Sequence, residues 1–187
     1  KNALAYMRLI LNCHDDVAFE RVVNIPPRGI GERTVDAVRE HARNISISMW
    51  SAAKAMIVDK NLNTRSANAL AAFLNLINEM TNTLEALPLS ELAENSIEMS
   101  GLIEMHRREK GERGQSRVEN LEELVGACKN FTPESIDTPV LAQFLDQVSL
   151  EAGERQANED QDAVQLMTLH SAKGLEFPLV IMAGMEA

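Results

Sequence analysis

From Thr64 to Leu84 the apolar residues Leu70, Phe73, Leu74, Ile77, Met80 and Leu84 recur at three- and four-residue intervals. That spacing lays them along one side of a long helix. A helix with such a stripe must bury it against other elements, so the stretch requires a packed helical partner set. Aromatics make up only 4% of the chain, which leaves Leu, Ile, Val, Ala and Met to fill the core. Leu- and Ala-rich segments favour helices further.

The rest of the first 150 residues reads the same way. Apolar positions 4, 6, 7, 9, 10 and 11 predict a buried helix over Asn2 to Asn12. Asp15 or Asp16 caps a second through about Val23. Ile25-Pro26-Pro27-Arg28-Gly29-Ile30-Gly31 breaks it, and Glu32 to Ala42 forms a third that buries Val35 and Val38. Ser46 or Ser48 caps a helix carrying Met49, Trp50, Ala53 and Met56. Pro88 and Ser90 restart a helix to about Met99, with a short continuation from Gly101 to Arg108. A loop at Lys110 to Gly114 precedes a helix over Ser116 to Cys128 with Val118, Leu121, Leu124 and Val125 turned inward. Thr138-Pro139 opens the last helix, through Leu150.

After it the pattern changes. Gly153 to Gln161 is polar and acidic, a linker. Ala163 to Leu169 and Leu179 to Met182 are strand-like, with a helical turn at Ala172 to Glu176 between them. The expected class is mainly α, a multi-helix domain followed by a short α/β stub. The strand-like end lacks sheet partners, so the chain is expected to be a piece of a larger protein. Unpaired apolar strands tend to find another chain, and dimerisation through them, or disorder, is expected.

With 187 residues and a net charge of −10, the chain is not built to coat nucleic acid indiscriminately, because counterion release needs a cationic face. The charge is uneven. Asp146 to Asp162 holds six acids and one arginine; Arg107 to Arg117 holds five basic residues and two glutamates. A basic island can meet a phosphate backbone locally, although a solvated loop is the default reading of any one island. Cys13 and Cys128 are far apart and form no CxxC pair. Metal or redox use is therefore not expected, and a reducing compartment is. With no membrane-length apolar run and no signal-peptide pattern, the expected location is cytoplasmic.

Two constellations carry chemistry. The first is Pro27-Arg28-Gly29-Ile30-Gly31-Glu32-Arg33-Thr34. Two glycines around an apolar residue between helices allow a tight turn with positive φ. The N–H groups at the start of the next helix then suit a phosphate, with Arg28 and Arg33 beside them and Ile30 anchoring the turn. The plainer alternative is an interhelical turn with two surface arginines.

The second is Gln165-Leu166-Met167-Thr168-Leu169-His170-Ser171-Ala172-Lys173-Gly174-Leu175-Glu176-Phe177. An apolar run delivers a polar cluster to the end of a buried strand, where α/β sheets bind ligands. On its own the spacing gives only a phosphate or nucleotide site, and the plainer reading of His170 is a satisfied loop histidine.

This second segment, continued by Pro178 to Glu186, resembles motif V of superfamily 1 DNA helicases of the UvrD/Rep/PcrA group. Asn2 to Arg43, with the glycine-isoleucine-glycine turn, resembles the junction into their 2B subdomain, and Gly111 to Leu124 resembles 2B itself; Asn44 to Met105 matches more loosely. The resemblance implies a parent enzyme that hydrolyses ATP with Mg²⁺ and moves 3′ to 5′ on DNA in repair or replication. It divides the chain into 1–14 as the end of 2A, 15–152 as 2B, 153–162 as linker and 163–187 as a 2A stub with motif V.

By the same resemblance Thr168 and His170 face the single strand, Glu176 accepts hydrogen bonds from the nucleotide ribose, and Lys173 and Gly174 shape the motif V loop. Arg28, Gly29, Ile30, Gly31, Arg33 and Thr34 meet duplex DNA. No GxxxxGK[ST] loop and no Mg²⁺-holding Asp-Glu pair is present in the sequence, so these residues alone are expected neither to hydrolyse ATP nor to hold nucleotide or metal. Expected partners are a duplex–single-strand junction and DNA repair proteins. The rival reading is a helical protein-interaction or autoinhibitory module that does not touch DNA.

Overall fold

The computed structural model describes residues 1–84, 86–109, 111–153 and 179–181. Among the described residues there are nine α-helices and no strand: α1 Asn2–Leu11, α2 Asp16–Val22, α3 Glu32–Asn44, α4 Met49–Val58, α5 Thr64–Thr81, α6 Leu89–Ser100, α7 Leu102–Arg107, α8 Glu112–Asn130 and α9 Val140–Gly153. The mainly α class expected from the periodicity is the observed one. The chain divides into two packing units, Lys1–Asp146 and Gln147–Ala187, with the boundary inside α9.

In the first unit α1 is the hub. Tyr6, Met7, Leu9 and Ile10 are essentially inaccessible to solvent, and α1 packs against α2, α5 and α6. α5 presents the stripe anticipated from its spacing: Leu70, Phe73, Leu74, Ile77 and Met80 are all buried. Phe19 of α2 stands between Phe73 and Trp50, edge-on to both, with ring centroids 5.5 and 6.5 Å away. Such edge-to-face pairs add about 0.5–1.5 kcal/mol beyond the burial of their area. Three of the seven aromatics thus meet where α2, α4 and α5 join, and Phe131 and Phe144 form a separate edge-to-face pair.

Local signals set the helix ends. Asp15, Ser48 and Asn63 each accept a hydrogen bond from the backbone N–H three residues on, which caps α2, α4 and α5. α5 stops at Thr81, short of Leu84. There the Thr81 hydroxyl donates to the carbonyl of Ile77 at 2.8 Å and the Thr83 hydroxyl to that of Met80 at 2.7 Å, so side-chain hydroxyls compete with main-chain N–H groups for the carbonyls of the last turn. Gly101, at φ 79°, separates α6 from α7 in the left-handed conformation that glycine tolerates best.

Several expectations are corrected. α8 begins at Glu112, inside the segment anticipated as a loop. Its Val118, Leu121, Leu124 and Val125 are only half-buried, whereas Gly114 and Cys128 are buried. α8 leans on α6 and α7 along an edge, and most of its surface faces solvent. Val35 is likewise only half-buried, while Val38 is sealed. Leu179, Val180 and Ile181 have no regular structure and are exposed, and Met182 lies outside the described residues. Gly153, anticipated as the first residue of the linker 153–162, is instead the last residue of α9; the rest of that linker, the anticipated strand Ala163–Leu169 and the turn Ala172–Glu176 lie outside the described residues.

Candidate nucleic-acid interface

The turn between α2 and α3 is organised by Asn24. Its side-chain oxygen accepts from the backbone N–H of Arg28 at 2.7 Å and of Ile30 at 3.2 Å. An Asx side chain folding back on its own backbone is a standard way to fix a tight turn. Gly29 takes φ 80°, the strained region for any residue with a Cβ. Ile30 is 1% exposed and pins the turn into the core, as anticipated. Gly31 differs from expectation. It has φ −74° and ψ 162°, an ordinary extended conformation, and acts as the N-cap of α3. Having no side chain, it makes no side-chain cap; its carbonyl accepts from the N–H of Thr34 at 2.9 Å, and the N–H groups of Glu32 and Arg33 at the helix start stay open.

Arg28 does not project from this turn. Its guanidinium donates to the carbonyls of Pro26 at 2.9 Å, Ser100 at 2.9 Å and Val22 at 3.4 Å. It also lies 5.7 Å from the Tyr6 ring centroid and 5.6 Å from that of Phe73. Tyr6 completes the anchorage by donating its hydroxyl to the Ile25 carbonyl at 2.5 Å. Burial pushes that phenol up to about 12, against the opposing pull of the Arg28 charge. Across the interface, Pro26 Cγ lies 3.7 Å from where a Cβ on Gly101 would stand. The turn is therefore bolted to the α6–α7 junction.

Arg33 is different. It is exposed, the second residue of α3, and has no hydrogen-bond or ion-pair partner among the described residues. Thr34 is half-buried, and its hydroxyl meets that of Ser66 at 3.1 Å, which ties the first turn of α3 to the first turn of α5. This contact carries Arg65 to the turn. Its Nη2 lies 4.0 Å from the position a Cβ on Gly29 would occupy. The surface around the turn thus combines uncapped N–H groups of α3, Arg33 and Arg65, with Glu32 as the acid in the first turn. What it offers chemically is hydrogen-bond donors and positive charge without a cavity, which suits an extended anion such as a phosphate backbone.

Asn24, Tyr6, Arg65 and Ser66 were not singled out by their sequence. Asn24 carried a readable cue, an Asx residue just ahead of a Pro- and Gly-containing turn. Arg65 carried none.

The second basic island sits on the α7–α8 hairpin, and Lys110 lies outside the described residues. Arg117 pairs with both oxygens of Glu109 at 2.7 and 2.9 Å, and the buried His106 reaches the same carboxylate through Nδ1 at 2.8 Å. These contacts, the His106 one first, hold the Glu109 carboxyl below its ordinary range. Arg108 pairs with Glu104 at 2.9 Å. Two of the island's four described arginines are therefore paired, and the Arg117–Glu109 pair is the one that ties α8 back to the end of α7. Thr168, His170, Lys173, Gly174 and Glu176 lie outside the described residues.

Among the described residues, no group of three or more His, Cys, Asp or Glu gathers that could hold a metal ion. No helix there is long and apolar enough to cross a membrane.

Comparison with known proteins covers the whole chain. It is 51% identical over its full length to DNA helicase II of Escherichia coli, 48% to DNA helicase II of Haemophilus influenzae, and 36% to the ATP-dependent DNA helicase PcrA of Bacillus subtilis. In each case the chain spans 26% of the relative's length, about a quarter. The profile of the UvrD-like helicase C-terminal domain matches residues 1–187, and the chain belongs to that family.

Proposed function

We propose that this chain forms the 2B subdomain, with adjoining pieces of 2A, of an ATP-dependent 3′ to 5′ DNA helicase acting in repair or replication, and that it grips duplex DNA beside the single-strand junction. The observation that carries the reading is the α2–α3 turn. A buried isoleucine and a tied-down arginine hold a glycine turn rigid, so that the open N–H groups of α3 and the unpartnered Arg33 face solvent. A donor set held in place on a rigid scaffold binds phosphate at lower ordering cost than one on a loose loop. Such contacts position a duplex without reading its sequence, which fits an enzyme that must unwind any sequence.

In this reading 1–14 closes 2A, 15–152 is 2B, 153–162 is the second connection and 163–187 returns to 2A. Swivelling at residues 13–16 and 153–162 regulates unwinding. Thr168 and His170 contact the single strand, Lys173 and Gly174 shape the loop, and Glu176 accepts hydrogen bonds from the nucleotide ribose. ATP and Mg²⁺ belong to the parent enzyme, and this chain by itself does not hydrolyse ATP. Its expected location is cytoplasmic, and DNA repair proteins are candidate partners.

The test is fluorescence anisotropy of the chain with a duplex–single-strand junction at low and moderate salt, alongside Arg33→Gln. Salt-sensitive binding weakened by that substitution is the expected result. Undetectable binding at low salt would instead favour the helical regulatory module. Arg33 is the right position because replacing Arg28 would also remove three internal hydrogen bonds.

A further inference from the structure

We infer that Gly101, at the kink between α6 and α7, is a positioning residue for the α2–α3 turn: it keeps the Ser100 carbonyl where Arg28 can moor the turn to the core. The inference rests on the duplex-binding reading above and adds to it a residue, far along the chain, that touches no DNA itself.

The turn has two moorings. Asn24 folds it locally, through the N–H groups of Arg28 and Ile30. The remote mooring is the α6–α7 kink. Arg28 Nη2 donates to the Ser100 carbonyl at 2.9 Å, across 72 residues, and Pro26 Cγ stands 3.7 Å from where a Cβ on Gly101 would lie. Ser100 is the last residue of α6, so its carbonyl is one of those a helix end leaves without a helical partner. Gly101 follows at φ 79° and ψ 15°. That left-handed step bends the chain into α7 and sets the direction of the peptide carrying the Ser100 carbonyl. Ser100 and Leu102, on either side of the kink, are buried and fix its place in the core.

Gly101 has nothing to offer a phosphate. It has no side chain, its N–H donates to the Glu98 carbonyl at 2.9 Å, and its carbonyl accepts from the N–H of Met105 at 3.0 Å. An effect of this position on duplex binding must therefore travel through the turn. A residue with a Cβ is disfavoured at this φ. It relaxes by rotating the peptide between residues 100 and 101, and the carbonyl that Arg28 holds moves with it. Space is not the constraint, since 3.7 Å from Pro26 Cγ is ordinary contact. With the remote mooring loosened, the α3 N–H groups and Arg33 sit on a turn that must be ordered on binding, and such a donor set binds more weakly.

The experiment is junction binding by fluorescence anisotropy across a salt series, for the 187-residue chain and its Gly101→Ala, Gly101→Asn, Arg33→Gln and Phe144→Leu variants. Phe144 is buried edge-on to Phe131, and its replacement controls for lost stability. All are compared at a temperature where circular dichroism shows every chain folded. Gly101→Ala is expected to weaken binding about two- to tenfold, the worth of one hydrogen bond. The slope of log K on log[salt] should not change, because no phosphate contact is removed. Asparagine is larger than alanine but tolerates the left-handed region better, so Gly101→Asn should recover most of the affinity. Phe144→Leu should bind as the parent chain does, and Arg33→Gln should reduce the slope.

Parent-like binding by Gly101→Ala, with Arg33→Gln weakened, removes Gly101 from this role and leaves the duplex reading standing. A slope reduced by Gly101→Ala would make the kink a contact, asparagine as weak as alanine would make the loss one of volume, and an equal loss in Phe144→Leu would make it one of stability. Each of these overturns the inference. No duplex binding by the parent chain, or binding unmoved by Arg33→Gln, overturns the duplex reading and the inference with it.

Discussion

The guanidinium of Arg28 donates to the main-chain oxygen of Ser100 at 2.9 Å, joining positions 72 residues apart. The same group reaches Pro26 and Val22. One side chain therefore closes the carbonyl ends of two segments, the α2–α3 turn and the end of α6. A guanidinium suits this because its planar fork offers several donors in fixed directions.

Arg28→Ala is expected to act on stability before it acts on binding. Hydrogen bonds from a charged donor contribute about 1.5–3 kcal/mol each when buried, less where solvent competes. With Arg28 half-buried, a total loss of about 2–3 kcal/mol is expected in urea unfolding. Arg28→Lys should recover little of it, since an ammonium cannot span three carbonyls. Unchanged stability in Arg28→Ala would return this residue to the list of DNA contacts.

The two glycines of the turn should separate fold from function. Gly29→Ala forces a Cβ into the left-handed region at φ 80° and should cost about 1–2 kcal/mol. Gly31 has ordinary dihedrals, and a Cβ there meets nothing within 4 Å. Gly31→Ala should therefore change stability by only a few tenths to about 1 kcal/mol, the preference of an N-cap for Gly over Ala. It should nevertheless weaken duplex binding, because the methyl stands where a phosphate approaches the α3 N–H groups. Equal binding by Gly31→Ala and the parent chain, measured side by side, would put the duplex elsewhere.

Much of this architecture was legible in the residues. The α5 stripe, the capping Asp15 and Ser48, and the anchoring Ile30 all follow from local spacing, because each depends on neighbours a few positions away. The site was legible only as a turn. Which arginine is free depends on Ser100 and Phe73 for Arg28, and on the Thr34–Ser66 contact for Arg65. Those partners lie tens of residues away and leave no periodic trace. The start of α8 was hidden for a related reason. Gly111 and Gly114 read as loop residues, yet Gly114 is glycine because another helix's backbone presses on it.

The Glu109 cluster predicts an acid-side weakness in the α7–α8 hairpin. Its carboxyl titrates below the ordinary range, held down by the His106 hydrogen bond and then by Arg117. A depressed folded-state value means the stabilisation is present above the unfolded carboxylate value and is lost as pH falls through the folded one. Glu109→Gln should therefore lower the urea midpoint near neutral pH and flatten its decline between about pH 5 and pH 3, given reference carboxylate values near 4. A parallel decline in both proteins would show that the cluster contributes nothing to folding.

Gly114 and Gly126 lie on the same helix and should respond to alanine with opposite signs. Alanine is intrinsically the better helix residue by about 0.5–1 kcal/mol. At Gly126 a Cβ meets nothing within 4 Å, so that gain should appear in full as a higher midpoint. At Gly114 the Cβ would stand 2.5 Å from the His106 carbonyl oxygen and 2.6 Å from that of Glu109. Both are backbone atoms, and neither can swing aside as a side chain would. Overpacking of this kind costs about 1–3 kcal/mol, enough to outweigh the helical preference. Gly114→Ala should therefore destabilise the chain by pushing α8 away from α7. A stabilising Gly114→Ala would mean that the hairpin can open at little cost.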